Sequence, residues 1–270
     1  MHILPKHARL LPALGMLLML AACKPEPVIE DREGVFELVF VPQAGTEAFQ
    51  ANTTHQNAEG RSYALEGLKM YVGDLTLIQE NGDELLLTET FLYDFVRDAG
   101  SSSLSGGVGG SFDVPAGTYR GIRFGIGVPA DLNNGNPAVY ASDHPLSISN
   151  GMHWNWTTGY IFLKVDGRID STAAMTGGPV LGMTYHTGTN ELYRELSYTE
   201  AEHAFEIKEG ERLAFAFSLD INRLFYTDTD TLDMVTNNLT HTTPVGSDAF
   251  QLAEYITDNL VEGALTKLPF

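Results

Sequence analysis

The chain has 270 residues, with 35 Asp and Glu against 16 Lys and Arg, a net charge of −19. A surface that acidic repels phosphate backbones, which argues against nucleic acid as a partner, while it attracts cations and basic proteins. A single cysteine leaves no disulfide to form, so the fold must stand on its apolar core.

Residues 1–22 read as a lipoprotein signal peptide. Lys6 and Arg9 give a basic start, "LLPALGMLLMLAA" an apolar run, and Leu20-Ala21-Ala22-Cys23 resembles a bacterial lipobox. The run is shorter than the roughly 20 apolar residues that span a bilayer. The pattern predicts cleavage before Cys23, lipidation of its sulfur and acylation of the new N-terminus. Several acyl chains anchor stably where one does not, so the membrane is a predicted partner through Cys23. Loss of Lys6 and Arg9 takes the net charge to −21. Lys24, rather than an aspartate, favours the periplasmic face of the outer membrane over the inner one. Residues 23–34 form a Pro-rich, charged tether, and 35–270 remain for one all-β domain, a length such folds reach.

From Val35 onward the dominant period is two. "VFELVFV" (35–41) is a β-rich apolar run, and "LKMYVGDLTLIQENGDELLL" (68–87) reads as two strands around an Asn81-Gly82 turn. "FLYDF" (91–95) reads as a further strand, and "SSSLSGGVGG" (101–110) as a flexible surface loop. In "GTYRGIRFGIGV" (117–128), Ile122, Phe124, Ile126 and Val128 share one face. Gly121, Gly125 and Gly127 share the other, where a backbone or a large aromatic ring can approach closely. "RLAFAFSLDI" (212–221) turns Leu213, Phe215, Phe217 and Leu219 inward. Only the C-terminus reads as a helix. There Asp248 is the expected cap, Gln251 completes a capping-box spacing, Gly263 is the expected end, and Phe250, Ala253, Ile256 and Leu260 form one stripe. The predicted class is all-β, an antiparallel β-sandwich with a short C-terminal helix.

Both tryptophans lie in "GMHWNWTTGYIFLKVDG" (151–167). Strand geometry places Met152, Trp154 and Trp156 on one face and His153 and Asn155 on the other. Tyr160 to Leu163 is apolar on both faces, as a central buried strand would be. Core packing explains the indoles by the area they bury. A metal or redox site is the alternative.

Together with "GVPADLN" (127–133), "HPLSIS" (144–149), "YALEGLKMYVGDLTL" (63–77), "PAGTYRGIRFGIGV" (115–128) and "YHTG" (185–188), this stretch resembles the MbnP-like family of bacterial periplasmic copper-binding proteins. That family is related to MopE and CorA of methane-oxidising bacteria. Its central motif matches here at Met152, Trp154, Trp156, Gly159 and Tyr160. The resemblance implies a β-sandwich that binds copper outside the cytoplasm, in copper acquisition or homeostasis. In some members a tryptophan is oxidised to kynurenine by a MauG-like di-haem peroxidase, which makes such an enzyme an implied partner. Two departures stand out. One branch of the family carries four cysteines, and the modified tryptophan is expected ahead of the central motif, where this chain has none.

The candidate copper ligands are His186 in "TYHTG", His55 in "NTTHQN", His153 within the motif and His241 in "NLTHTT", because imidazole nitrogen suits copper. Met152 offers a soft thioether, although a core methionine is commoner. No histidine pair has zinc-protease spacing, no Gly-x-Ser-x-Gly elbow occurs, and "DTDTLD" (228–233) lacks the glycine and glutamate of a calcium loop. The expectation is therefore a binding protein rather than an enzyme. Two other readings stay open. One is a metal-free interaction module, and the other a small-ligand or glycan binder that uses Tyr140, Tyr160 or the tryptophans for stacking.

Overall fold

The computed structural model describes residues 33–154 and 159–270. The signal, Cys23, most of the tether and Trp156 lie outside the described residues. In chain order the strands are β1 (Glu33–Ala44), β2 (Glu47–Ala48), β3 (His55–Gln56), β4 (Ser62–Gln79), β5 (Glu84–Asp94), β6 (Val108–Pro115), β7 (Gly117–Ile126), β8 (Ile161–Ile169), β9 (Leu181–Gly188), β10 (Arg194–Tyr198), β11 (Phe205–Ile207), β12 (Arg212–Asp220), β13 (Leu239–Thr240) and β14 (Leu265–Lys267). Two α-helices join them, α1 (Ala130–Asn133) and α2 (Asp248–Asn259).

The strands form two sheets. The smaller runs β14-β12-β1-β2, with β6 also on β1, and the larger runs β10-β7-β4-β8-β9-β13, with β11 on β7 and β3 and β5 on β4. The 18-residue β4 is the spine of the larger sheet: its first half pairs with β8 and its second with β7. The register shifts between Gly73 and Thr76, where Asp74 has a φ of 48°, a bulge that bends the strand. The all-β class and the terminal helix match the sequence expectation. Most pairings are antiparallel, but β12 lies parallel to β1 and β13 parallel to β9. Alternation dictates which face a residue takes, not which way its neighbour runs, and parallel partners far apart in the chain need no hairpin.

Between the sheets lies the main core. Phe40 of β1 and Phe217 of β12 meet Phe124 of β7, with ring centroids 6.4 and 5.7 Å away. The glycine-lined face of β7 does what its composition predicts: a Cβ on Gly125 would lie 2.0 Å from the Tyr193 ring. A second cluster, with Tyr71, Leu146, Met152, Trp154, Tyr160 and Phe162, covers the outer face of the larger sheet.

Several boundaries differ from the sequence reading. The first strand starts at Glu33, two residues inside the expected tether, because β6 pairs with it from Glu33 onward. "FLYDF" continues β5 instead of forming its own strand. The Gly-rich loop ends at Val108, where β6 begins, and Ser103 of that loop donates to the buried Glu37 carboxylate at 3.0 Å. Ser247, not Asp248, caps α2, accepting from the Phe250 amide at 3.2 Å, and Asp248 sits in the first turn, where negative charge suits the helix dipole. Gly263 lies within a π-turn, Leu260–Ala264, that extends the helix.

Candidate metal centre

The site begins on β8, the strand whose apolar run is broken by Lys164 and Asp166. Both point to the outer face, opposite Val165 and Leu163 of the main core. Antiparallel register sets His186 of β9 beside Lys164. Asp166 then reaches His186 diagonally, and the ring donates from Nε2 to the carboxylate at 2.9 Å. A carboxylate only accepts, so Nε2 carries a proton, and in the neutral ring Nδ1 keeps its lone pair. That Nδ1 is buried and has no hydrogen-bond partner.

The parallel ladder between β13 and β9 pairs Leu239 with Thr184 and Thr240 with Tyr185, which carries His241 to the level of His186. The two imidazole centroids are 5.5 Å apart, and Thr242 donates to the His186 carbonyl at 2.6 Å, fastening the crossing segment. Burial, and then the neighbouring His186, depress the His241 pKa, with Asp166 offsetting part of it. Burial works against charge on Asp166, but the hydrogen bond and charge of His186, followed by Lys164, hold its pKa below the usual carboxylate value. The His241 imidazole therefore favours the neutral form that binds metals. A carboxylate gripping the far nitrogen of a histidine is the outer-shell arrangement typical of metal-bound imidazole.

The tryptophan motif borders this pair. His186 and Gly188 share the outer face of β9, and a Cβ on Gly188 would lie 2.4 Å from Cη2 of Trp154. Glycine at 188 is thus what admits the indole beside His186. Trp154 is 2% exposed and Met152 fully buried, so both serve the second core. Among the described residues an isolated bridge, His153 with Tyr160, stands where a longer strand was expected. Asn133, at the end of α1, holds the start of the following strand: its Oδ1 accepts from the Tyr160 amide at 2.7 Å, and Gly159 beside it has a φ of 110°. The Tyr160 hydroxyl donates to the Leu146 carbonyl at 2.8 Å.

The other predicted ligands lie elsewhere. His55 on β3 packs between Phe49 and Tyr63, at 5.7 and 5.8 Å, with Nε2 held by Gln50 and Nδ1 buried without a partner. It lines an open groove of about 540 Å³ with Thr46, Glu47 and Asn222. His153 stands edge-on to Tyr160 at 5.0 Å, and burial lowers its pKa. Among the described residues no three of His, Cys, Asp and Glu are grouped to hold a metal ion. Of the four candidate histidines the structure brings two together, His186 and His241, with Asp166 behind His186. Sequence reasoning missed Asp166. The signal was present, since Lys164, Asp166 and Arg168 alternate along an otherwise apolar central strand.

A family model described as MbnP matches residues 33–243. Among solved structures, MbnP from Methylosinus trichosporium is similar to this chain at 15% identity, over 71% of this chain and 77% of that one, with a TM-score of 0.48. No curated protein matches.

Proposed function

The chain belongs to the MbnP family, and from that premise we propose that it is a copper-binding protein of the bacterial cell envelope, anchored by lipid at Cys23 and holding copper at His186 and His241. The observation that carries the reading is the buried, unpartnered Nδ1 of His186 with a second imidazole 5.5 Å away. The donor set fits the ion, because imidazole nitrogen is a good copper ligand and protein–metal nitrogen bonds of roughly 2 Å let two such rings share one ion. Copper bound there would be ligated by nitrogen, next to a wall formed by Trp154. Asp166 keeps His186 in the tautomer that leaves Nδ1 available, and the second core excludes water from that side. The protein binds and hands on the ion rather than transforming a substrate, which places it in copper acquisition or homeostasis. The family resemblance adds a MauG-like di-haem peroxidase as a partner.

Intact-mass and metal analysis of the full chain, purified from its own envelope and dialysed, tests the reading. The expected result is an acylated Cys23 and retained copper. Copper should vanish in His186→Ala and His241→Ala and persist in His55→Ala and His153→Ala. A metal-free parent would sink the copper reading and leave the interaction-module and glycan readings. The same mass spectrum reports any tryptophan oxidised by a peroxidase partner.

A further inference from the structure

The outer face of the larger sheet carries a charged row that copper binding by itself does not require. Cross-strand register lines up Asp94 of β5, Lys69 of β4, Lys164 of β8 and His186 of β9. Lys69 pairs with Asp94 at 3.1 Å, and Lys164 lies 3.5 Å from Asp166. Two ammonium groups side by side on adjacent strands repel, and ordering two long side chains costs entropy. Their side chains are only 23% and 22% exposed. Each also donates to the main chain of the segment lying above the sheet: Lys69 Nζ to the Asn150 carbonyl at 3.1 Å, and Lys164 Nζ to the Gly151 carbonyl at 3.2 Å. Those carbonyls directly precede Met152-His153-Trp154. Two consecutive peptide groups are thus tied to two consecutive strands, at the point where the chain turns toward Gly188.

We propose that Lys69 and Lys164 are positioning residues that suspend the 150–154 segment over the sheet, seat the Trp154 indole on Gly188, and so set the copper affinity of the His186 and His241 pair. The copper half of this inference rests on the function proposed above, whereas the seating of the indole does not. Lys164 also touches Asp166 and so acts on His186 by a second route. Lys69 is one strand farther away and is paired with Asp94 rather than Asp166, which makes it the cleaner probe.

The test uses the full chain in a Trp156→Phe background, so that emission reports Trp154 alone. Lys69→Met, Lys164→Met and Lys69→Arg are compared by the emission maximum of the metal-free protein and by competitive copper titration. In Lys69→Met the emission is expected to move to the red and copper affinity to fall about tenfold, the lower end of what outer-shell partners contribute. Lys69→Arg, which restores a cationic donor, should recover both. Lys164→Met should weaken copper further because it also releases Asp166. A Lys69→Met protein with unchanged emission and unchanged affinity would overturn the inference, as would one that only melts earlier with Trp154 still buried. If the parent binds no copper, the function proposed above fails, and the emission shift still decides whether the lysines seat the indole.

Discussion

His186 and His55 look alike locally and differ in what surrounds them. Each imidazole has one nitrogen engaged, by Asp166 or by Gln50, and each buries an Nδ1 with no hydrogen-bond partner. Around His55 the neighbours are the rings of Phe49 and Tyr63. Around His186 they are a second imidazole and a carboxylate, with an indole over Gly188 two residues along the strand. An idle buried nitrogen is therefore not enough to mark a metal centre. A second imidazole, just past the end of β13, and a carboxylate on the far nitrogen separate the two cases.

If that contrast is right, substitutions at the two histidine regions should fail in different ways. His55→Ala removes a ring packed between two aromatics and should cost roughly 2–4 kcal/mol of stability in denaturant unfolding, while copper binding stays intact. Loss of copper in that variant would erase the contrast. Asp166→Asn should reverse the pattern, weakening copper by about 10- to 100-fold with little change in stability, as read by competition against a chelator. Gly188→Ala tests whether the indole matters to the pair. The added methyl would meet Trp154 Cη2 and the Tyr160 carbonyl, each at 2.4 Å, and backbone cannot yield cheaply. It should cost roughly 1–3 kcal/mol in denaturant unfolding and weaken copper in the same competition assay.

The smallest effect belongs to the far end of the charged row. Burial disfavours charge on Asp94, but the Arg97 amide and then Lys69 outweigh it and hold its pKa below the ordinary value of 3.8. The unfolded state therefore binds more protons than the folded one between the folded pKa and 3.8. This contribution is present above 3.8 and is lost as pH falls through the folded pKa. Asp94→Asn should be about 1 kcal/mol less stable at neutral pH and show a shallower loss of stability on acidification. An acid profile identical to the parent's would remove Asp94 from the row's energetics.

Much of this architecture is legible in the chain. The Asn81-Gly82 turn falls between β4 and β5, the inward set Phe215, Phe217 and Leu219 is buried as its alternation demands, and the glycine face of β7 receives Tyr193. The apolar run after Gly159 becomes the strand between β4 and β9. The helix cap lies one residue before Asp248 because Ser247 and Asp248 are both good caps, and local geometry chose the first. The Gly-rich stretch hid the start of β6, since glycines that suit a loop also suit a strand lying close over Glu37.

What the sequence determined by itself was the strand content, the faces of the strands and the candidate donors, because side-chain alternation and turn chemistry act between near neighbours. Which donors meet was decided only by tertiary structure. His186 and His241 stand together because β13 returns in parallel beside β9, and Asp166 reaches them because β8 and β9 share one antiparallel register. Pairing between distant strands depends on how whole sheets close over a core, and no local pattern of residues encodes that partner.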